Sequence, residues 1–126
     1  MRKIKFRGQT VDTKELIYGD LIQTEKDFKN VVEILDWSKV GCKPEKSLVV
    51  NPETVSEFTG LTDKKGVEIY ENDILKSELD WIFVVKWDKE NARFIGFSPT
   101  NQIIYVGREP KATVIGNIFD NPELMQ

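Results

Sequence analysis

Hydrophobic and polar positions alternate in short runs along this chain, which predicts β-strands rather than long helices. The clearest run is 81–87, where Trp81, Phe83, Val85 and Trp87 share one face of a strand. We interpret this aromatic row as the centre of the core rather than as an exposed platform. Further strands are predicted at 2–8, 15–22, 30–37, 46–50, 54–60, 74–76, 92–97, 103–106 and 111–119. Short strands at this spacing are typical of a sandwich or a small barrel.

Turn residues separate these runs. Asn51 is suited to the N-cap of a helix and Pro52 to its first helical position. We therefore expect one helical turn that leads into a strand. The segment 63–66 begins with Asp63 and ends with Gly66, as in a type I turn with a left-handed exit, so it predicts a hairpin. Gly19 indicates a bulge or a close backbone approach. The polar segment 24–30 is predicted to be a loop, as are the regions around Gly41 and Pro44 and the segment 107–110.

The first strand carries a basic face. Ile4 and Phe6 are predicted to point inward, and Lys3, Lys5 and Arg7 outward. We read this face as an ordinary solvated surface that discourages edge-to-edge pairing. The functional alternative is a nucleic-acid surface in which Arg2, Lys3, Lys5 and Arg7 contact phosphates and exposed aromatic rings stack on bases.

Composition excludes several function classes. The chain has 126 residues, of which 40% are hydrophobic, enough for a packed core in one or two small domains. It has no histidine and a single cysteine, Cys42, so a histidine-based catalytic dyad or a Cys/His zinc site within one chain is excluded. The net charge of −3 and the absence of a long apolar stretch predict neither a nucleic-acid nor a membrane partner by default.

Charge changes sign along the chain. Residues 1–50 hold 10 basic and 8 acidic side chains, whereas residues 51–126 hold 8 and 13. We therefore expect two closely packed β lobes, an N-terminal lobe over 1–50 and a C-terminal lobe over 51–126, with one continuous domain over 1–126 as the alternative. The acidic residues of 51–80 do not form a calcium loop, because Lys64 and Lys65 follow Asp63 where oxygen ligands would be needed. No metal, cofactor or catalytic residue is predicted.

The segment 51–74, NPETVSEFTGLTDKKGVEIYENDI, resembles the hallmark block of the YopX family of phage and prophage proteins. Its flanks agree at 4–8 (IKFRG), 18–20 (YGD), 85–88 (VKWD) and 114–124 (VIGNIFDNPEL). Asn72 and Ser56 stand where the family usually has glycine. The resemblance implies a β-rich fold with a small Src-homology-3-like barrel in the C-terminal lobe, encoded by mobile elements of bacteria. The alternating N-terminal segment, unlike a signal peptide, and the lone Cys42 predict a cytoplasmic location in the host.

The hallmark block consists of turn and core residues, which is the composition of a structural motif rather than of a catalytic site. Its structural residues, together with one from the strongest strand, are Pro52, Phe58, Gly60, Asp63, Gly66, Tyr70, Asp73 and Trp87. We expect Phe58, Ile69, Tyr70, Phe83, Val85 and Trp87 to form the core.

The favoured function is that of a non-catalytic accessory module that binds a protein partner and forms homo-oligomers. Single-stranded nucleic-acid binding is the alternative, and an enzyme ranks third. The run 112–119 carries no charge, so we expect it to lie centrally in a sheet or to pair with a neighbouring subunit.

Overall fold

The chain is mainly β, as the alternation predicts. A computed structural model describes residues 2–26, 29–37, 47–100, 102–104, 106 and 111–125. These ranges contain two antiparallel sheets, one of six and one of five strands, and two short 3₁₀ helices, Pro52–Thr54 and Pro122–Met125. The strands are β1 (Phe6–Gln9), β2 (Leu16–Lys26), β3 (Lys29–Asp36), β4 (Ser47–Val49), β5 (Ser56–Thr62), β6 (Glu68–Tyr70), β7 (Asp73–Lys76), β8 (Ile82–Asp88), β9 (Arg93–Phe97), β10 (Ile103–Ile104) and β11 (Thr113–Asn117).

The chain divides into two compact units, Met1–Phe58 and Thr59–Gln126. The division lies inside β5 rather than near Val50, where the charge changes sign. Val50 itself is buried in the core of the first unit. The assignment of the units as separate domains stays a prediction.

The six-stranded sheet has the order β4-β3-β2-β1-β5-β6, and its first four strands lie in the first unit. The buried core residues on one face are Ile17, Val32, Ile34 and Val50. Gly19 is required where β2 passes β3, because a Cβ there would lie 1.8 Å from the Leu35 carbonyl oxygen. The close approach expected at Gly19 is therefore confirmed.

The outer edge of β4 is partly occupied by the chain itself. An isolated antiparallel bridge joins Thr10 to Val50, and the Val11 N–H donates to the Val49 carbonyl at 3.2 Å. Because β1 and β4 are not neighbours in the sheet order, the sheet must bend for these residues to meet.

Phe6 packs against the core as predicted, but the burial of its neighbours in the first strand is not as predicted. Lys5 and Arg7 are buried, at 8% and 5% exposure, whereas Ile4 is 54% exposed. β1 begins only at Phe6 and lies between β2 and β5, so it is a central strand that needs no charged edge protection. The opposite face of β1 turns to the core, where a Cβ on Gly8 would contact Ile34 and Val50 at 3.2 Å.

The loop predicted at 24–30 is also wrong in the described residues. β2 and β3 continue as a two-stranded ribbon in which Thr24 pairs with Val31 and Lys26 with Lys29. Backbone pairing in such a ribbon does not depend on apolar side chains, so the alternation cannot reveal it. The loop around Gly41 and Pro44, Cys42 and the segment 107–110 lie outside the described residues.

The helical turn predicted at Asn51 is confirmed. The Asn51 side chain accepts a hydrogen bond from the Glu53 N–H at 3.1 Å and caps the 3₁₀ helix Pro52–Thr54. Val55 then returns to extended geometry, and β5 begins at Ser56. Proline at the first helical position has no N–H to leave unpaired, which explains why the sequence signal is reliable here.

The five-stranded sheet of the second unit has the order β10-β9-β8-β7-β11. Its core contains Ile69, Leu75, Phe83, Val85, Val106 and Ala112. Phe83 fits against the backbone of β9 because Gly96 has no side chain; a Cβ there would lie 2.3 Å from the Phe83 ring. β10 and β11 are shorter than predicted and do not pair with each other, so no closed barrel is present in the described residues.

Five of the six predicted core residues are buried, and the sixth is not. Trp87 is 46% exposed, and Trp81, at the other end of the aromatic row, is 54% exposed. Only the middle of the row, Phe83 and Val85, is fully buried. Alternation identifies the face of a strand but not where along the strand the neighbouring chain stops covering it.

Candidate protein-binding surfaces

The Asp63 side chain connects the β5–β6 turn to β11 through hydrogen bonds. Its Oδ1 accepts the N–H groups of Lys65 at 2.8 Å and Val67 at 2.9 Å, and its Oδ2 accepts the N–H of Val114 at 3.0 Å. Burial raises the pKa of this carboxyl, but the hydrogen bonds, with that from Val114 the strongest, and the charge of Lys65 outweigh burial and lower the pKa below 3.8. The carboxylate therefore joins the β5–β6 turn to β11.

The same turn covers the edge of β11. The Lys64 N–H donates to the Ala112 carbonyl at 3.2 Å, next to the bond from Val114 to Asp63. Farther along, the Asn117 N–H donates to the Asn121 side chain at 3.3 Å. The uncharged run 112–119 is thus not central in the sheet, and turn residues of the same chain bond some of its backbone groups. Pairing of this run with a neighbouring subunit stays a prediction.

The other residues of the predicted structural motif also have local structural roles. Gly66 has a φ of +83°, which confirms the expected left-handed exit of the turn. Gly60 and Asn72 also have positive φ angles, of +86° and +72°. Asp73 is 2% exposed and accepts the Tyr70 N–H at 2.8 Å. The sequence did not reveal that the buried Asn72 side chain accepts a hydrogen bond from Lys86 Nζ at 2.9 Å.

The four basic residues proposed as phosphate contacts do not form one exposed patch. Arg2 and Lys3 are exposed, but Lys5 and Arg7 are buried. The Lys5 ammonium lies 5.8 Å from the Trp37 ring and 5.6 Å from the Phe58 ring, a cation–π arrangement. The burial of two of the four cations counts against a phosphate-binding face on this segment, and the nucleic-acid alternative stays a prediction.

Two concave surfaces that expose large apolar side chains lie in the second unit, one near each end of β8. The first, which we call the Trp87 groove, has a volume of about 420 Å³ and is lined by Trp87, Asp88, Lys89, Glu90, Asn91, Arg93, Ile95, Phe97 and Ile103. Trp87 packs edge-to-face on Phe94 at 4.9 Å between ring centroids, which fixes the indole while leaving it half exposed. Ile103 is 56% exposed.

Hydrogen bonds to Asp88 link the residues at the rim of the Trp87 groove. Asp88 Oδ2 accepts Asn91 Nδ2 at 2.9 Å and Arg93 Nε at 3.4 Å, and Asp88 Oδ1 accepts the Glu90 N–H at 3.2 Å. The hydrogen bond from Asn91 is the main cause that holds the pKa of Asp88 below its usual value. An ionised Asp88 therefore fixes the β8–β9 turn beside the tryptophan.

The second surface, which we call the Trp81 cleft, has a volume of about 280 Å³. It lies between the β7–β8 turn and the β9–β10 turn, and its lining residues are Trp81, Ile82, Ser98, Pro99, Thr100, Gln102 and Ile104. Leu79, at the tip of the β7–β8 turn, is 73% exposed. Sequence reasoning missed both surfaces because it assigned both tryptophans to the core; the available signal was that each tryptophan adjoins a turn aspartate, Asp80 or Asp88.

Within the described ranges, no three carboxylate or thiol side chains converge as ligands of a metal ion. Among the same residues, no helix reaches the length and hydrophobicity that a membrane crossing requires.

The fold defines a mainly-β protein built on two antiparallel sheets. The family model described as YopX protein matches residues 5–126, and the chain belongs to the YopX family. The crystal structure of protein EF1440 from Enterococcus faecalis is similar over 100% of both chains, with 22% sequence identity and a TM-score of 0.56. This likeness concerns the fold. A search of curated proteins gave no match.

Proposed function

We propose that this chain is a non-catalytic phage or prophage accessory module that acts through protein contacts and self-associates. The observation that carries the proposal is the Trp87 groove, whose lining includes a half-exposed tryptophan, an exposed isoleucine and Arg93. Tryptophan and arginine are enriched at the energetic centres of protein interfaces. Large apolar side chains that remain exposed on a folded unit favour burial against another protein.

Charge favours a protein partner over a nucleic acid. Residues 59–126, which carry both exposed tryptophans, hold 8 basic and 11 acidic side chains, a net charge of −3. Base stacking requires cations near the aromatic rings to hold the phosphates. Two of the four candidate cations, Lys5 and Arg7, are buried and lie in the other unit.

We also propose that the second unit is the small Src-homology-3-like barrel that the family implies. Its support is the strand order: β7 to β10 form a meander, and β11 returns to pair with β7. Proton–proton contacts between β10 and β11 in solution nuclear magnetic resonance spectra would show that these strands pair and that the barrel is closed. A complete set of contacts with none between β10 and β11 would contradict the barrel.

Sedimentation equilibrium between 1 and 100 μM tests self-association through the Trp87 groove. We expect the wild-type chain to exceed the 14.6 kDa of one chain at the higher concentrations. Ile103→Arg places a charge in the groove and should reduce the mass to that of one chain. Leu79→Arg, a matched change at an exposed residue outside the groove, should leave the association unchanged.

Salt separates this contact from the alternatives. An apolar interface should persist in high salt, whereas attraction between oppositely charged parts of two chains should weaken. A mass of one chain at every concentration and salt would overturn self-association. Tight binding of a single-stranded oligonucleotide that weakens steeply with salt would favour the nucleic-acid alternative instead.

A further inference from the structure

The two turns that flank the Trp81 cleft are fixed by serine side chains. In the β7–β8 turn, Ser77 is 8% exposed, its N–H donates to the Trp81 carbonyl at 2.9 Å, and its Oγ accepts the Trp81 N–H at 3.1 Å. In the β9–β10 turn, the Ser98 N–H donates to the Gln102 carbonyl at 3.0 Å, and Ser98 Oγ accepts the Gln102 N–H at 3.0 Å. The cleft is therefore preformed, which lowers the entropy cost of binding.

The described residues that line the cleft are all uncharged, in a chain of which 31% of the residues are charged. The charged residues of the neighbouring turn are compensated, because Lys76 lies 3.4 Å from Asp80 and Lys111 lies 3.7 Å from Glu78. An uncharged lining matches an uncharged occupant, since neither a phosphate nor a carboxylate would find a counter-charge. This argues against nucleic acids and acidic ligands at this site.

The cleft offers an apolar platform with side-chain donors. The Trp81 indole is 54% exposed, and its N–H makes no hydrogen bond within the described part of the chain. The side-chain amide of Gln102 is likewise without a partner among the described residues, and Gln102 is exposed. Ile82, Ile104 and Pro99 supply the apolar wall.

The backbone of the two turns argues against addition of a β-strand. Strand addition needs a row of open N–H and C=O groups, but the cleft lies at the end of the strands, where Ser77 and Ser98 already bond the turn backbone. A polyproline II segment has no internal hydrogen bonds, so its carbonyls are open to indole and amide donors. Its rings also pack on aromatic side chains at a low entropy cost.

We infer that the Trp81 cleft, between two serine-fixed turns and lined by uncharged side chains with an unbonded indole donor, binds an uncharged proline-rich segment of a partner protein in the polyproline II conformation. This site goes beyond the proposed self-association. Trp81 and Trp87 are six residues apart on an extended chain, about 20 Å, and the two surfaces share no lining residue among the described ones. One can fail without the other.

The test is a titration of the full ¹⁵N-labelled chain with a blocked decaproline peptide, followed by nuclear magnetic resonance spectroscopy of the indole N–H groups. The Trp81 indole signal should shift and saturate, and the signals of Trp37 and Trp87 should not. A blocked glycine–serine peptide of the same length should produce no saturable shift.

Variants separate the donor from the platform. Trp81→Phe keeps an aromatic ring but removes the N–H donor, and we expect it to weaken decaproline binding about fivefold, the loss of one net hydrogen bond. For this variant the backbone amide signals of Gln102 and Thr100 report binding. Trp81→Ala should abolish saturation, and Trp87→Ala should leave it unchanged. Amide spectra of each variant confirm that it folds.

Three results would overturn the inference: no saturable shift at millimolar decaproline, equal binding of the glycine–serine peptide, or a shift confined to Trp87. A failure of this titration leaves the sedimentation result unaffected, because the Ile103→Arg and Trp81→Phe variants change different surfaces. Conversely, a chain that stays monomeric and binds decaproline would contradict self-association only.

Discussion

Replacing Asp63 by asparagine should lower the free energy of unfolding by about 2–4 kcal/mol at neutral pH. The carboxylate accepts three backbone N–H groups, two on Oδ1 and one on Oδ2. An asparagine can keep its oxygen toward the N–H groups of Lys65 and Val67. Its NH₂ group then faces the Val114 N–H, and because both groups are donors they cannot form a hydrogen bond. One charge-assisted bond, worth about 1.5–3 kcal/mol, is lost, and the other two lose their ionic component.

The stabilisation by Asp63 should depend on pH, because only the ionised carboxylate makes the charge-assisted bonds. The pKa of Asp63 is lower in the folded chain than its usual value of 3.8, so the folded state binds fewer protons in this range. The stabilisation is complete above the unfolded pKa and is lost as the pH falls through the folded pKa. The difference between wild type and Asp63→Asn should therefore be constant near neutrality and should shrink below about pH 4.

Urea unfolding followed by tryptophan fluorescence at several pH values measures both effects. Asp12→Asn is the matched control, because Asp12 is exposed and, among the described residues, its Oδ1 accepts only the adjacent Thr13 N–H, at 2.7 Å. We expect the control to lie within about 0.5 kcal/mol of wild type. Two results would refute the stabilising role of Asp63. One is an Asp63→Asn variant as stable as the control, and the other is a stability difference from wild type that does not shrink in acid.

Two further changes test the turns and the core. Gly66→Val should cost roughly 1 kcal/mol or more in urea unfolding, because a β-branched residue is strained at a φ of +83° although the space around the glycine is open; an unchanged midpoint would contradict the left-handed turn. Phe83→Ala should cost about 3–5 kcal/mol, as for a fully buried aromatic residue, whereas Trp87→Ala should cost only about 1–2 kcal/mol because half of the indole is exposed. Equal losses for the two variants would mean that Trp87 belongs to the core after all.

Local signals determined much of this fold before any tertiary contact was considered. The strands, the capped turn at Asn51 and the left-handed turns at Gly66 and Asn72 follow from preferences that act within a few residues. The close approach at Gly19 belongs to the same group, since only glycine leaves space for a neighbouring backbone. The hallmark block is predictable because its residues shape the backbone directly.

Tertiary structure alone decided which faces and ends of the strands are covered. Lys5 and Arg7 alternate as a solvated face would, yet β1 lies in the middle of a sheet and both are buried. Trp81 and Trp87 lie on the same face as the core residue Phe83. Both are nevertheless about half exposed, because no other described part of the chain packs over the two ends of this face. Burial depends on residues distant in sequence, as when Asp63 closes the edge of β11 through Val114, and an alternating pattern contains no information about those distant residues.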